Sequence, residues 1–114
     1  LEFRRVLFRS DWGHAHDYVR AMYAMMNLDH ADDYVCATGE THTIRQMVEY
    51  VFNSLGLDYL KFIEIDPSNY RKQDIHILRG DSSKLKKITN WSPRYTFYGM
   101  LDEMIEHWKQ ELSQ

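Results

Sequence analysis

Thr43-Ile44-Arg45-Gln46-Met47-Val48-Glu49-Tyr50-Val51-Phe52-Asn53-Ser54-Leu55-Gly56 is the stretch from which the rest of the chain is most readily read. Thr43 and Gln46 stand three residues apart. At that spacing a hydroxyl and an amide side chain satisfy reciprocal backbone donors at a helix start. Ile44, Met47, Val48, Val51, Phe52 and Leu55 then recur at i, i+3, i+4, i+7, i+8 and i+11, one apolar face of a helix. Gly56 follows where a left-handed residue closes a helix. A helix ending at Leu55 is expected.

Working outward, Tyr18, Val19, Met22, Met25 and Met26 mark a second helix from Asp17, buried on one face and ended by the polar cluster 27–33. Asp17 suits the positive end of that helix. Tyr34-Val35-Cys36-Ala37 reads as a short buried strand running into a Thr38-Gly39-Glu40 turn. Downstream, Leu60–Ile65 reads as a strand closed by the Asp66-Pro67-Ser68-Asn69 turn. A further strand, Ile75–Leu78, follows. Asp81 can cap a short helix containing Leu85 and Ile88, with Lys84, Lys86 and Lys87 toward its negative end. Asn90 ends it, and from Thr96 a last helix carries Phe97, Met100, Leu101, Met104, Ile105, Trp108 and Leu112. The order is αβαββαα, an α/β (α+β) pattern rich in helix. Its strands are too few and too short for a self-sufficient doubly wound sheet, so the chain reads as a lobe that packs on something else.

The 114 residues suit one modest domain. Hydrophobic residues make up 44% and charged residues 27%, the composition of ordinary globular protein. A net charge of −3 offers no basic excess to neutralise a phosphate backbone, which argues against nucleic-acid binding. No apolar run reaches the length of a membrane span. The single cysteine, Cys36, excludes an internal disulfide, and a reducing, cytoplasmic compartment fits best. Residues 1–10 are expected to be a non-native segment. They carry three arginines and one glutamate, so the remaining chain, 11–114, stands at −5.

Candidate chemistry is sparse. His14, His16 and Asp17 could be offered as metal ligands, but a helical backbone points the two rings apart, and no metal is expected. Cys36 in apolar surroundings is inert, because burial raises a thiol's pKa. The five glycines form no Gly-x-Gly-x-x-Gly loop, so a dinucleotide is not held by this segment. The run from Asp66 to Asp74 is more informative. Arg71 offers a planar fork that matches a phosphate oxygen pair, and Asp74, three residues on, can accept from ribose hydroxyls. A solvated loop with a local Arg–Asp pair is the plainer reading of the same residues.

Longer motifs add to this. Asp11-Trp12-Gly13-His14-Ala15 with Asp17-Tyr18-Val19 resembles a segment of the GDP-mannose 4,6-dehydratase family of extended short-chain dehydrogenase/reductases. Asp33-Tyr34-Val35, Ala37-Thr38-Gly39-Glu40-Thr41-His42 and Ile44-Arg45 resemble its next motif. Asp66-Pro67, Tyr70-Arg71, Leu78, Gly80-Asp81, Lys84, Trp91, Pro93 and Phe97 follow in the family's order. Four departures stand out: Ser10 and His16 replace an arginine and a lysine, Asp74 a glutamate, and Asn90 a glycine.

The resemblance implies a helix-rich, C-terminal, substrate-binding lobe of a Rossmann-type, NAD(P)-binding enzyme that converts GDP-mannose to GDP-4-dehydro-6-deoxymannose, the first step toward GDP-fucose and GDP-rhamnose. It implies hydride abstraction at C4, loss of water across C5–C6 and hydride return to C6. It further implies NADP bound by a missing N-terminal domain, and a Tyr-x-x-x-Lys pair, a Thr or Ser and a catalytic Glu, all upstream of Asp11. Arg71 and Asp74 are its implied GDP-sugar contacts, with no catalytic residue in this chain and a homo-oligomer at full length. The alternative is a non-catalytic helical interaction module whose apolar stripes are the binding surface.

Overall fold

The computed structural model describes residues 8–64, 66 and 75–113. Four helices and a small sheet are arranged in the order β1 (Arg9–Ser10), α1 (Ala15–Met26), β2 (His42–Thr43), α2 (Ile44–Ser54), a 3-10 turn (Tyr59–Lys61), β3 (Ile77–Leu78), α3 (Ser83–Thr89) and α4 (Phe97–Leu112). β1 is the central strand. It runs antiparallel to β2, with Arg9 opposite Thr43, and parallel to β3, with Arg9 opposite Ile77. Among the described residues no helix is long and apolar enough to cross a membrane.

The capping box of α2 forms as its sequence requires. The Thr43 amide donates to the Gln46 side chain at 2.8 Å, and the Gln46 amide donates to the Thr43 hydroxyl at 3.0 Å. Past the end, Gly56 has φ +69°, and the Leu57 amide donates back to the Phe52 carbonyl at 2.9 Å. Asn90 closes α3 in the left-handed conformation with φ 55°, which asparagine tolerates.

Several expectations are corrected. Residues 34–37 form no strand and pair with none among the described residues. Side chains hold the segment to α3 instead: Ser82 Oγ donates to the Ala37 carbonyl, and Lys84 Nζ donates to the Asp33 carbonyl and pairs with Asp32 at 2.6 Å. Where a strand is expected from Leu60, the chain turns. The Asp58 carboxylate accepts from the Leu60 amide at 3.1 Å, so a local cap prevails over the apolar run; Ile65 and the turn residues 67–69 lie outside the described residues. Asp81 does not cap α3 through the expected position. Ser82 occupies the cap, but its hydroxyl bonds Ala37 and none of the helix amides, and Asp81 accepts from the Ser83 amide and hydroxyl. β1 itself lies in the first ten residues, where no element is expected from the sequence.

The core is small. Ala21, Leu85 and Trp91 form its centre, with Met25, Tyr34 and Cys36 packed around it, while Phe97 and Leu101 anchor the start of α4. The apolar stripe of α1 is divided. Ala21 and Met25 face this core, but Val19, Met22, Tyr23 and Met26 stand exposed at i, i+3, i+4 and i+7. The radius of gyration is 17.4 Å, against about 13 Å for a compact chain of this length. The lobe is therefore open where a self-contained domain would be closed.

Gly80 marks the closest approach of two segments, since a Cβ built there would run into the Cβ of Ala37. Both atoms are fixed to backbone and neither can swing away. Gly80→Ala is expected to lower stability by about 1–3 kcal/mol through this overlap. Denaturant melts of the two proteins measure it.

Candidate functional site

Two carboxylates fix the geometry around β1 and α1. Asp11 follows β1, and its amide donates to the Leu78 carbonyl. One of its oxygens accepts from the Thr38 amide at 3.0 Å and the Thr38 hydroxyl at 2.6 Å. The other accepts from the amides of Gly39 at 2.8 Å and Gly80 at 3.2 Å. One side chain thus ties together β1, the 38–39 turn and the exit of β3.

Asp17, in the first turn of α1, is 1% exposed. It accepts from the amides of Arg94 at 2.9 Å and Tyr95 at 3.0 Å, and from the Arg20 guanidinium at 2.8 Å. The Asp17 carbonyl accepts from the Trp91 indole at 3.0 Å. Burial pushes this carboxyl's pKa up, but the two amides and the Arg20 guanidinium outweigh that and hold it below its ordinary value. The carboxylate is charged, enclosed and fully engaged.

Between these anchors lies a cleft lined by Trp12, Thr38, Glu40, His42, Arg94 and Tyr95. Its walls are stacked rings. Phe97 lies between His42, at 3.9 Å, and Trp12, at 5.6 Å, while Tyr95 stacks on His14 at 3.9 Å. The Thr38 hydroxyl accepts from the Glu40 amide at 3.1 Å, so the hydrogen-bonded turn that Asp11 holds also positions Glu40. The Glu40 carboxylate comes within 4.0 Å of His42 Nε2.

The residues singled out from sequence fall in different places. Arg71 and Asp74 lie outside the described residues. His14 caps α1, its Nδ1 accepting from the His16 amide at 3.0 Å, and its Nε2 lies 3.4 Å from Glu103. Asp17 faces the interior and not His14 or His16, and among the described residues no three potential ligands converge on a metal position. Cys36 is half-buried outside any strand, and burial raises its thiol pKa, with Asp17 and Asp11 adding to the effect. Sequence reading misses the roles of Asp11 and Thr38. The only local signal is an acidic residue opening the Asp-Trp-Gly-His-Ala run and a Thr-Gly turn elsewhere, and nothing in either says that they meet.

The sequence profile of the family described as GDP-mannose 4,6 dehydratase matches residues 7–104. GDP-mannose 4,6 dehydratase 2 of Arabidopsis thaliana is 40% identical over 96 residues, covering 84% of this chain and 26% of that protein. GDP-mannose 4,6 dehydratase of Drosophila melanogaster is 35% identical over 115 residues, covering 86% and 29%. The chain thus spans between a quarter and a third of the length of these relatives. Among solved structures, RMD of Pseudomonas aeruginosa, complexed with NADPH, superposes with a TM-score of 0.78 at 20% identity, covering 93% of this chain and 34% of that one. UDP-glucose 4-epimerase of Thermotoga maritima, with UDP-glucose, gives 0.79 at 22% identity, covering 94% and 33%. These likenesses show the fold, a mixed α/β arrangement that matches about a third of each of these larger chains.

Asp17→Ala is expected to cost about 3–5 kcal/mol, because it strands two partly buried amides and the Arg20 guanidinium. The folded-state pKa of Asp17 lies below the unfolded value, so its contribution is complete above about pH 4 and is lost as pH falls toward the folded value. The stability gap between wild type and Asp17→Asn should therefore narrow below about pH 4. Thermal melts of both proteins across that range measure the narrowing.

Proposed function

Since the chain belongs to the GDP-mannose 4,6 dehydratase family, we propose that it is the nucleotide-sugar-binding lobe of an enzyme that converts GDP-mannose to GDP-4-dehydro-6-deoxymannose. The match of family motifs in one order from Asp11 to Phe97 is the observation that carries this reading. In it, Arg71 holds diphosphate oxygens through its planar guanidinium, and Asp74 accepts from a hydroxyl of the ribose. Residues 11–114 are the substrate-binding part, while the profile match from residue 7 and the place of Arg9–Ser10 in the central strand weigh against a non-native origin for the whole of residues 1–10. The whole protein works in the cytoplasm as a homo-oligomer.

The cofactor of this reading is NADP. It supplies hydride exchange when bound, but this chain has no Gly-x-Gly-x-x-Gly loop for its pyrophosphate, so its residues do not fit that group. No step of the reaction is therefore assigned to them. Their part is to bind and orient the nucleotide sugar. The exposed stripe Val19, Met22, Tyr23 and Met26 supports an absent partner lobe, because a contiguous apolar face in water calls for a cover.

The isolated chain is expected to leave GDP-mannose unconverted with NADP present, since it has neither a hydride carrier's cradle nor the acid–base set. It should also self-associate through its uncovered apolar surface. Assay and sedimentation of the purified chain check both.

A chimera gives the positive test. Residues 10–114, carrying Ser10→Arg, replace the matching part of the Arabidopsis thaliana relative, and GDP-mannose turnover is the expected result. A folded, NADP-binding chimera without turnover overturns the reading. In an active chimera, Arg71→Ala should weaken GDP binding roughly 10- to 150-fold, as a charge-assisted contact contributes about 1.5–3 kcal/mol. NADP affinity should stay unchanged, and titration of each ligand separately decides it. Equal losses for both ligands would assign Arg71 to the fold.

A further inference from the structure

We propose that His14 is a proton-operated latch at the junction of α1, the 93–96 segment and α4. The neutral ring caps α1, whereas the charged ring releases that cap and keeps its hold on α4. The latch belongs to the lobe itself and is independent of the nucleotide contacts assigned to Arg71 and Asp74.

The partners of the neutral ring decide where its proton sits. Nδ1 accepts from the His16 amide at 3.0 Å, so it presents a lone pair and the proton is on Nε2. That second nitrogen lies 3.4 Å from the Glu103 carboxylate of α4, and the ring stacks on Tyr95 at 3.9 Å, within 11° of parallel. The His16 ring stands edge-on to both His14 and Tyr95. The Asp17 carboxylate is held by Arg20 and by the amides of Arg94 and Tyr95. The His14 side chain is 17% exposed, which leaves its ring within reach of solvent protons.

A proton gained at Nδ1 turns the acceptor into a donor. Two N–H groups then face each other across 3.0 Å, and the cap must open. Flipping the ring brings no relief, because both nitrogens of a charged imidazole are donors. The loss is confined to one amide, since those of Asp17 and Tyr18 are bonded to the His14 carbonyl and keep their partner. The same proton strengthens the other two contacts. Nε2 and Glu103 become an ion pair, and the cation lies over the face of Tyr95. A serine, threonine or asparagine would cap α1 alike on either side of neutrality, whereas an imidazole cap is lost on charging.

The test titrates the isotopically labelled 114-residue chain through the midpoint of His14, with His16→Gln in every sample so that the neighbouring ring adds no signal. On the basic side, long-range nitrogen–proton spectra should find the His14 proton on Nε2 and a bare Nδ1. Across the midpoint, the residue-16 amide should shift in step with His14 and lose about fivefold in protection from exchange. Contacts between the His14 ring and the Glu103 side chain should persist on both sides. His14→Asn caps through a neutral oxygen and should abolish the step, with the Trp91 indole signal reporting an intact core. A bare Nε2 on the basic side overturns the proposal. So does a residue-16 amide indifferent to the charge on His14, a step that survives His14→Asn, or a ring that leaves Glu103 on charging.

Discussion

A buried carboxylate on α1 governs the packing of this lobe. Asp17 lies one helical turn from Ala21, at the centre of the core, and receives three donors, one from Arg20 on its own helix and two from the distant Arg94–Tyr95 backbone. A charge placed there without partners would cost several kcal/mol, so the native arrangement is tolerated only with its donors in place. Those donors dictate where the chain runs after Trp91. The amides of Arg94 and Tyr95 must face α1, which sets the 93–96 segment across its first turn and starts α4 beside it. The Trp91 indole, bonded to the Asp17 carbonyl, brings α3 and its terminal Asn90 to the same place. Helix packing here follows hydrogen bonding as much as apolar area.

Asp11 does for the sheet what Asp17 does for the helices. Strands of two residues contribute few ladder bonds, and an isolated ladder of that length is marginal. The carboxylate that follows β1 accepts from the segments leading away from β3 and toward β2, so three short strands are clamped at one end. Gly80 can come so near Ala37 only because it has no side chain, and that closeness brings its amide within reach of Asp11. Five residues separate the two aspartates, one before α1 and one within it. Together they make this short stretch the frame for both the cleft and the helices.

Helices were legible in the sequence, and strands were not. α2 and α4 announce themselves through caps and long periodic stripes, both of which are local. Tyr34–Ala37 and Leu60–Ile65 have the apolar content of strands, but strand identity depends on a partner in space. The first finds Ser82 and Lys84 in place of a ladder, and the second is overruled by Asp58. The stripe of α1 was legible as apolar but not as divided, because periodicity cannot tell a face buried by this chain from one left to a neighbour. Motif order gave the family, which the relatives bear out. The cleft was not legible, since Trp12, Glu40 and Arg94 are brought together only by the two carboxylate anchors.

The balance between polar anchors and apolar core also explains how one short lobe can carry a specific surface. A core centred on Ala21, Leu85 and Trp91 buries too little to select one arrangement of four helices by itself. Directional bonds supply the selection, because a carboxylate satisfied by several donors has few alternative geometries of equal energy. The same bonds immobilise the backbone of Thr38, Glu40, Arg94 and Tyr95, while the Glu40 and Arg94 side chains stay exposed. Rigidity of the backbone and availability of the side chains thus arise from the same two aspartates. A larger apolar core could have fixed the helices, but it would not have aimed those backbone groups.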